Sequence, residues 1–145
     1  MKLQTMKWSR LVIYLLVVSF LFSCHKKSEG FSEAMLLGRW QLKSIVSTDT
    51  EGTSVNSDKQ DYGPEDYFEF KSPDILTVNV EEEISQTTWA LTDENKRLLI
   101  NNAGSFALPA QGLEIKSFSS SNLELYSKSI NGQATHELSF FLEKK

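Results

Sequence analysis

From residue 31 onward, apolar and polar side chains alternate in short runs broken by Gly, Asn, Asp, Ser and Pro. This period of two calls for strands and leaves no room for a long helix. The runs fall at residues 40–47, 67–70, 75–81, 84–91, 97–101, 113–118, 123–130 and 135–143, with residues 102–112 readable either as a loop or as an irregular strand through Phe106 and Leu108. A short helical turn capped by Ser32 precedes them, and Asn131-Gly132 is the strongest hairpin signal in the chain. Tight turns make successive strands antiparallel neighbours, and about eight such strands can close on themselves, which removes unpaired edges. The expected fold is all-β, a single up-and-down antiparallel β-barrel of about eight strands. A two-sheet sandwich is the rival, but it needs longer crossing loops than this chain supplies.

The first 23 residues follow another pattern. Lys2, Lys7 and Arg10 stand without an acid, and residues 11–22 are apolar except for Ser19. Such a run is too short to span a bilayer, which takes about 20 apolar residues, and fits the core of a signal peptide. It ends in Leu21-Phe22-Ser23-Cys24, which resembles a bacterial lipoprotein signal, with Leu three residues before the cysteine and a small residue just before it. The resemblance implies cleavage after Ser23, diacylglycerol on the Cys24 sulfur and acylation of the new amino group, so that the partner of the amino terminus is a membrane. On the residues alone, a plain secretory leader followed by a free thiol, or an uncleaved anchor, would read the same way. Cys24 is the single cysteine, so no intramolecular disulfide forms.

The chain then divides into a signal peptide (1–23), a lipidated tether (24–33) and one barrel domain (34–145). Removing the signal takes three of the 15 basic residues and none of the 19 acidic ones, leaving 12 against 19. That balance argues against nucleic acid as a partner. His25, Lys26 and Lys27 make the tether basic. Acidic residues at that place mark surface export in some lipoproteins of Bacteroidetes-type bacteria, so the expected location is the cell envelope, at the periplasmic face of the outer membrane.

Gly38-Arg39-Trp40 opens the first strand, Tyr67-Phe68-Glu69-Phe70 leads into a Ser-Pro-Asp turn, and Trp89-Ala90-Leu91 leads into Arg97-Leu98-Leu99-Ile100. Leu123-Glu124-Leu125-Tyr126 and Leu138-Ser139-Phe140-Phe141-Leu142 follow. In that order these segments resemble the lipocalin-like domains of Bacteroidetes lipoproteins. The resemblance implies a barrel plugged at one end by Trp40 behind Gly38 and, in ligand-binding members, open at the other.

Candidate site residues follow from that picture. Tyr67, Trp89 and Tyr126 could offer aromatic surface with polar tips near the mouth. His136 shares the phase of Leu138 and Phe140 and is read as inward, hydrogen-bonded at a barrel end or facing a ligand. Residues 48–66, rich in acids, read as a long loop, either solvated or a lid, and their spacing does not fit an EF-hand. No nucleophile elbow, phosphate loop or paired histidines occur. The expectation is therefore a non-enzymatic protein without metal or cofactor. It would bind a small apolar ligand in the barrel mouth or, as the alternative, act as a ligand-free module docking an envelope protein.

Overall fold

The computed structural model describes residues 31–101, 104 and 106–145; the expected signal peptide, Cys24 and the expected tether up to residue 30 lie outside the described residues. Among the described residues a helical turn, α1 (Glu33–Leu36), precedes nine strands: β1 (Gly38–Glu51), β2 (Ser54–Asp61), β3 (Tyr67–Lys71), β4 (Ile75–Val80), β5 (Glu83–Thr92), β6 (Arg97–Ile100), β7 (Leu113–Phe118), β8 (Asn122–Asn131) and β9 (Ala134–Lys144). All pairings are antiparallel, and β9 returns to β1 along its whole length, from Trp40↔Lys144 to Glu51↔Ala134. The expected closed antiparallel barrel therefore forms, with a wall of eight strands, β1 and β3 to β9.

The ninth strand, β2, corrects the expected 48–66 loop. One edge of β1 is shared: Gly38–Gln41 pair with β3 and Ser44–Glu51 pair with β2. The sequence of β2, SVNSDKQD, has no apolar phase, and every residue in it is exposed. It is a strand because β1 offers it a ladder and because Gly52, at φ +58°, makes the two-residue reversal between them.

A β-bulge sets which residues of β1 face inward. The register with β9 slips between Leu42 and Ser44, so Trp40 and Leu42 are followed on the inner face by Ile45, Ser47 and Asp49. Val46, expected inward from simple alternation, is therefore turned outward. A second slip, between Ile115 and Ser117 in β7, puts Phe118 opposite Leu123 and against the core; in β3, β4, β8 and β9 the alternation holds, with Phe68 and Phe70, Leu76 and Val78, Leu123 and Leu125, and Phe140 and Leu142 all buried in one core. Each such side chain contributes about 1.5–3 kcal/mol on leaving water.

The two ends differ. At one end Trp40 is wholly buried, and its Nε1 donates to the Leu36 carbonyl at 2.6 Å. Phe118 lies 5.8 Å from the Trp40 ring, with Phe31 stacked edge-on to Phe118 at 4.6 Å. The Lys144 ammonium sits 4.9 Å over the indole and donates to the Met35 carbonyl. Gly38, at φ +114°, turns the chain from α1 into β1. The β1–β2, β4–β5 and β8–β9 hairpins and the β6–β7 connection gather at the other end. There Phe106 packs edge-on against Phe68 and Phe140, at 5.8 and 6.4 Å, and Leu108 joins the same core. The described residues of the stretch read as loop or irregular strand thus cap the barrel interior through Phe106 and Leu108, with an isolated bridge at Phe106.

Candidate functional site at the open end

The upper parts of β8, β9 and β1, together with β2, continue the barrel wall as a four-stranded projecting sheet. Register fixes its inner face row by row. Nearest the core, Ile45, Phe140 and Leu125 stand side by side; the next row holds Ser47, Leu138 and Ser127. Beyond them come Asn56, Asp49, His136 and Ser129, and at the tip Ser54, Glu51, Ala134 and Asn131. The face passes from apolar to polar within three rows. A groove of about 410 Å³ lies over the outer two rows, lined by Asp49, Asn56, Ser129, Asn131 and His136 among others.

The centre of the groove is an imidazole–carboxylate pair. His136 Nδ1 and Asp49 Oδ1 are 2.6 Å apart, with both side chains about half exposed. A non-hydrogen-bonded antiparallel pair brings opposite side chains closest, and Asp49 and His136 occupy such a pair. With Nδ1–H donated to the carboxylate, the ring is oriented and Nε2 is the atom left to meet a ligand. His136 therefore stands on the inner face at the mouth. Asp49 was not foreseen, since without the bulge at Lys43 it would face outward.

The other three sequence candidates do not join it. Tyr67 lies on the outer face, in alternation with Phe68, and is covered by the Arg39 guanidinium 3.8 Å from its ring. Trp89 is buried well below the mouth, edge-on to Phe70 at 5.2 Å, with its backbone N–H bonded to the Asp74 carbonyl in the β3–β4 turn. Tyr126 alternates with buried Leu125 and Ser127 and so points outward, where its hydroxyl donates to the Glu137 carboxylate. Aromatic surface with polar tips exists here, but it is not at the mouth.

Partial burial, and then the bond and charge of Glu137, hold the Tyr126 phenol above its ordinary range. In a Glu137→Gln variant the ionised-carboxylate contribution is lost, and Tyr126 is expected to ionise at lower pH in an alkaline absorbance titration. An unchanged titration would place Tyr126 away from Glu137. Glu137 is itself held below the usual carboxylate range by bonds from Lys128 and Tyr126, so the bond between phenol and carboxylate is made at neutral pH.

The upper half of β5, rich in Ser, Gln and Thr, is bonded to the end of β6. β6 pairs with Trp89–Thr92, and the Asn101 N–H extends that pairing to the Thr88 carbonyl at 3.0 Å. Thr87 Oγ1 donates to the Asn101 carbonyl at 2.8 Å, and Asn101 Nδ2 donates to Thr88 Oγ1 at 2.5 Å. These side-chain bonds add to the backbone pairing at the upper end of β6. Among the described residues no group of three or more His, Cys, Asp or Glu side chains is placed to hold a metal ion.

Fold and groove together define a closed up-and-down barrel with a small-molecule-sized recess at its open end. No family model matches the chain, and no curated protein matches it. Among solved structures, a deswapped triple mutant of bovine odorant binding protein is similar at 19% identity over 77% of this chain and 74% of that one, with a TM-score of 0.42. At that distance the likeness bears on neither ligand nor site.

Proposed function

We propose that this chain is a lipid-anchored, lipocalin-like protein of the cell envelope that binds one small molecule at the rim of its barrel. The observation that carries the binding role is the Asp49–His136 pair, set in a groove at the boundary between an apolar and a polar inner face. Phe106 occupies the mouth, so the ligand engages the rim above it rather than the barrel interior. A mainly apolar molecule with a polar end fits: its body lies toward Leu138 and Ile45 and its polar end meets His136 Nε2 and the groove amides. The role is binding rather than catalysis, and needs no cofactor.

The test is native mass spectrometry of the protein extracted from its own membranes. A co-purifying small molecule is expected, with its occupancy roughly tenfold lower in His136→Ala and Asp49→Ala, as loss of a hydrogen bond to an oriented group would give. Membrane attachment rests on the Leu21-Phe22-Ser23-Cys24 signal. Two or three acyl chains at about 0.8 kcal/mol per buried CH₂ make such attachment effectively permanent. Cys24→Ser is expected to move the protein from the membrane to the soluble fraction without changing its thermal midpoint. Persistent membrane association would overturn the anchor.

One observation favours the second reading, a ligand-free module docking an envelope protein: the interior is filled down to the mouth by Phe106 and Leu108. An empty native spectrum, together with wild-type behaviour of the two groove variants, would decide for it.

A further inference from the structure

Among the described residues no strand pairs with the outer edge of β2, and the direction of its backbone groups can be worked out. The Tyr62 N–H donates to the Lys43 carbonyl at 3.0 Å, directly continuing the ladder in which Ser44 opposes Asp61. In antiparallel pairs such bonds recur at every second residue. Asn56, Asp58 and Gln60 therefore turn their N–H and C=O groups toward β1, whereas Val55, Ser57 and Lys59 turn theirs away from the sheet. The edge is regular, with no register slip against β1 and no proline. Its one lysine, a usual guard of open edges, is drawn along the strand to Asp61 at 2.7 Å.

The geometry points to a second copy of this chain as the occupant, pairing β2 with β2 about a twofold axis at Ser57. This inference does not rest on the proposed ligand, although Val55 and Asn56 also line the groove. Outward-facing residues must lie opposite one another, which limits the registers. Centring the axis on Lys59 sets two lysines face to face, and centring it on Asp58 sets two aspartates face to face. Centring it on Ser57 sets no like charges opposite: Val55 meets the partner's Lys59, Asn56 meets the partner's Asp58, and Ser57 meets the partner's Ser57. Each of the first two pairs occurs twice. Val55, now 68% exposed, gains the lysine methylenes as cover, and the amide donates to the carboxylate. Because the twofold uses up both edges, assembly stops at two.

The test is sedimentation equilibrium of the full-length protein in mild detergent. A concentration-dependent dimer is expected. Ser57→Pro removes an outward N–H that β1 does not use, and should weaken the dimer about tenfold or more. Two variants at exposed Val55 keep the proposal testable should the proline perturb the hairpin. Val55→Lys, facing the partner's Lys59, should weaken association, and Val55→Glu should strengthen it. Ser57→Cys should cross-link under mild oxidation well beyond the parent chain, which controls for Cys24. A monomer at the highest soluble concentration, or a dimer on which the two Val55 variants act alike, overturns the proposal.

Discussion

Replacing Trp40 with alanine is expected to destabilise the barrel by about 3–5 kcal/mol, the range for removing a large aromatic from a packed core. Trp40 is fully buried at the closed end. Its loss opens a void between Phe118 and α1 and strips the Leu36 carbonyl of its 2.6 Å donor. It also removes the ring beneath the Lys144 ammonium. For a domain of this size the thermal midpoint should fall by roughly 10–20 °C. Trp40→Phe separates the contributions, since it keeps most of the ring but still orphans the carbonyl, at about 1–3 kcal/mol. A loss below about 1 kcal/mol for Trp40→Ala would mean that the closed end is not held by this residue.

Trp40 also shows why much of the barrel was legible in the sequence. It begins a strand, shares its phase with Leu42, and is followed by runs whose alternation is enforced by one shared core. Wherever burial set the pattern, as in Phe68 and Phe70 or Phe140 and Leu142, period-two reading placed the side chain correctly. The failures lie at a strand exposed on both faces and at register slips. The strand β2 is exposed on both faces, so its hydrogen-bonding ladder left no trace in hydropathy. The bulge beside Leu42 inserts one residue with no sequence mark and thereby exchanges Val46 for Ile45 and brings Asp49 inside.

The candidate site was legible only in part for the same reasons. His136 was placed by its phase with Leu138 and Phe140, whereas its partner lay beyond the unseen bulge. Tyr67 and Tyr126 were phased outward by their own neighbours Phe68 and Leu125, so chemical attraction to an aromatic with a polar tip overrode a readable pattern. Trp89 is different, because its face was readable but its depth was not. Depth depends on the pairing of Trp89 with Ile100 and on the β3–β4 turn beneath it, and both are tertiary facts.

The connection that caps the mouth supplies the second large expected effect, Gly112→Ala. Gly112 stands at φ +81°, where any residue with a Cβ is strained by about 1–2 kcal/mol. A Cβ there would also lie 2.6 Å from Leu99 Cδ2 and 2.8 Å from the Leu98 carbonyl oxygen. The leucine tip can swing aside. The carbonyl cannot, because Leu98 belongs to β6, which is paired with β5 on one side and, through Arg97↔Glu114 and Leu98↔Leu113, with β7 on the other. The two pairs to β7 make the thinnest seam in the wall, so displacement there opens it. A total loss of about 2–4 kcal/mol is expected by thermal or denaturant melting. Gly132→Ala is the control, because Gly132 also has a positive φ, +63°, but nothing within 4 Å of the added carbon. It should cost only the conformational part, about 1 kcal/mol. Equal losses for the two variants would show that the close approach to β6 contributes nothing. Unequal losses tie the cap to the seam: the Gly112 N–H donates to the Pro109 carbonyl at 2.9 Å, closing the turn that returns the chain from Phe106 to β7. Pushing Gly112 away from β6 should therefore also unseat Phe106 from Phe68 and Phe140, and increased binding of an apolar fluorescent dye by Gly112→Ala, but not by Gly132→Ala, would report it.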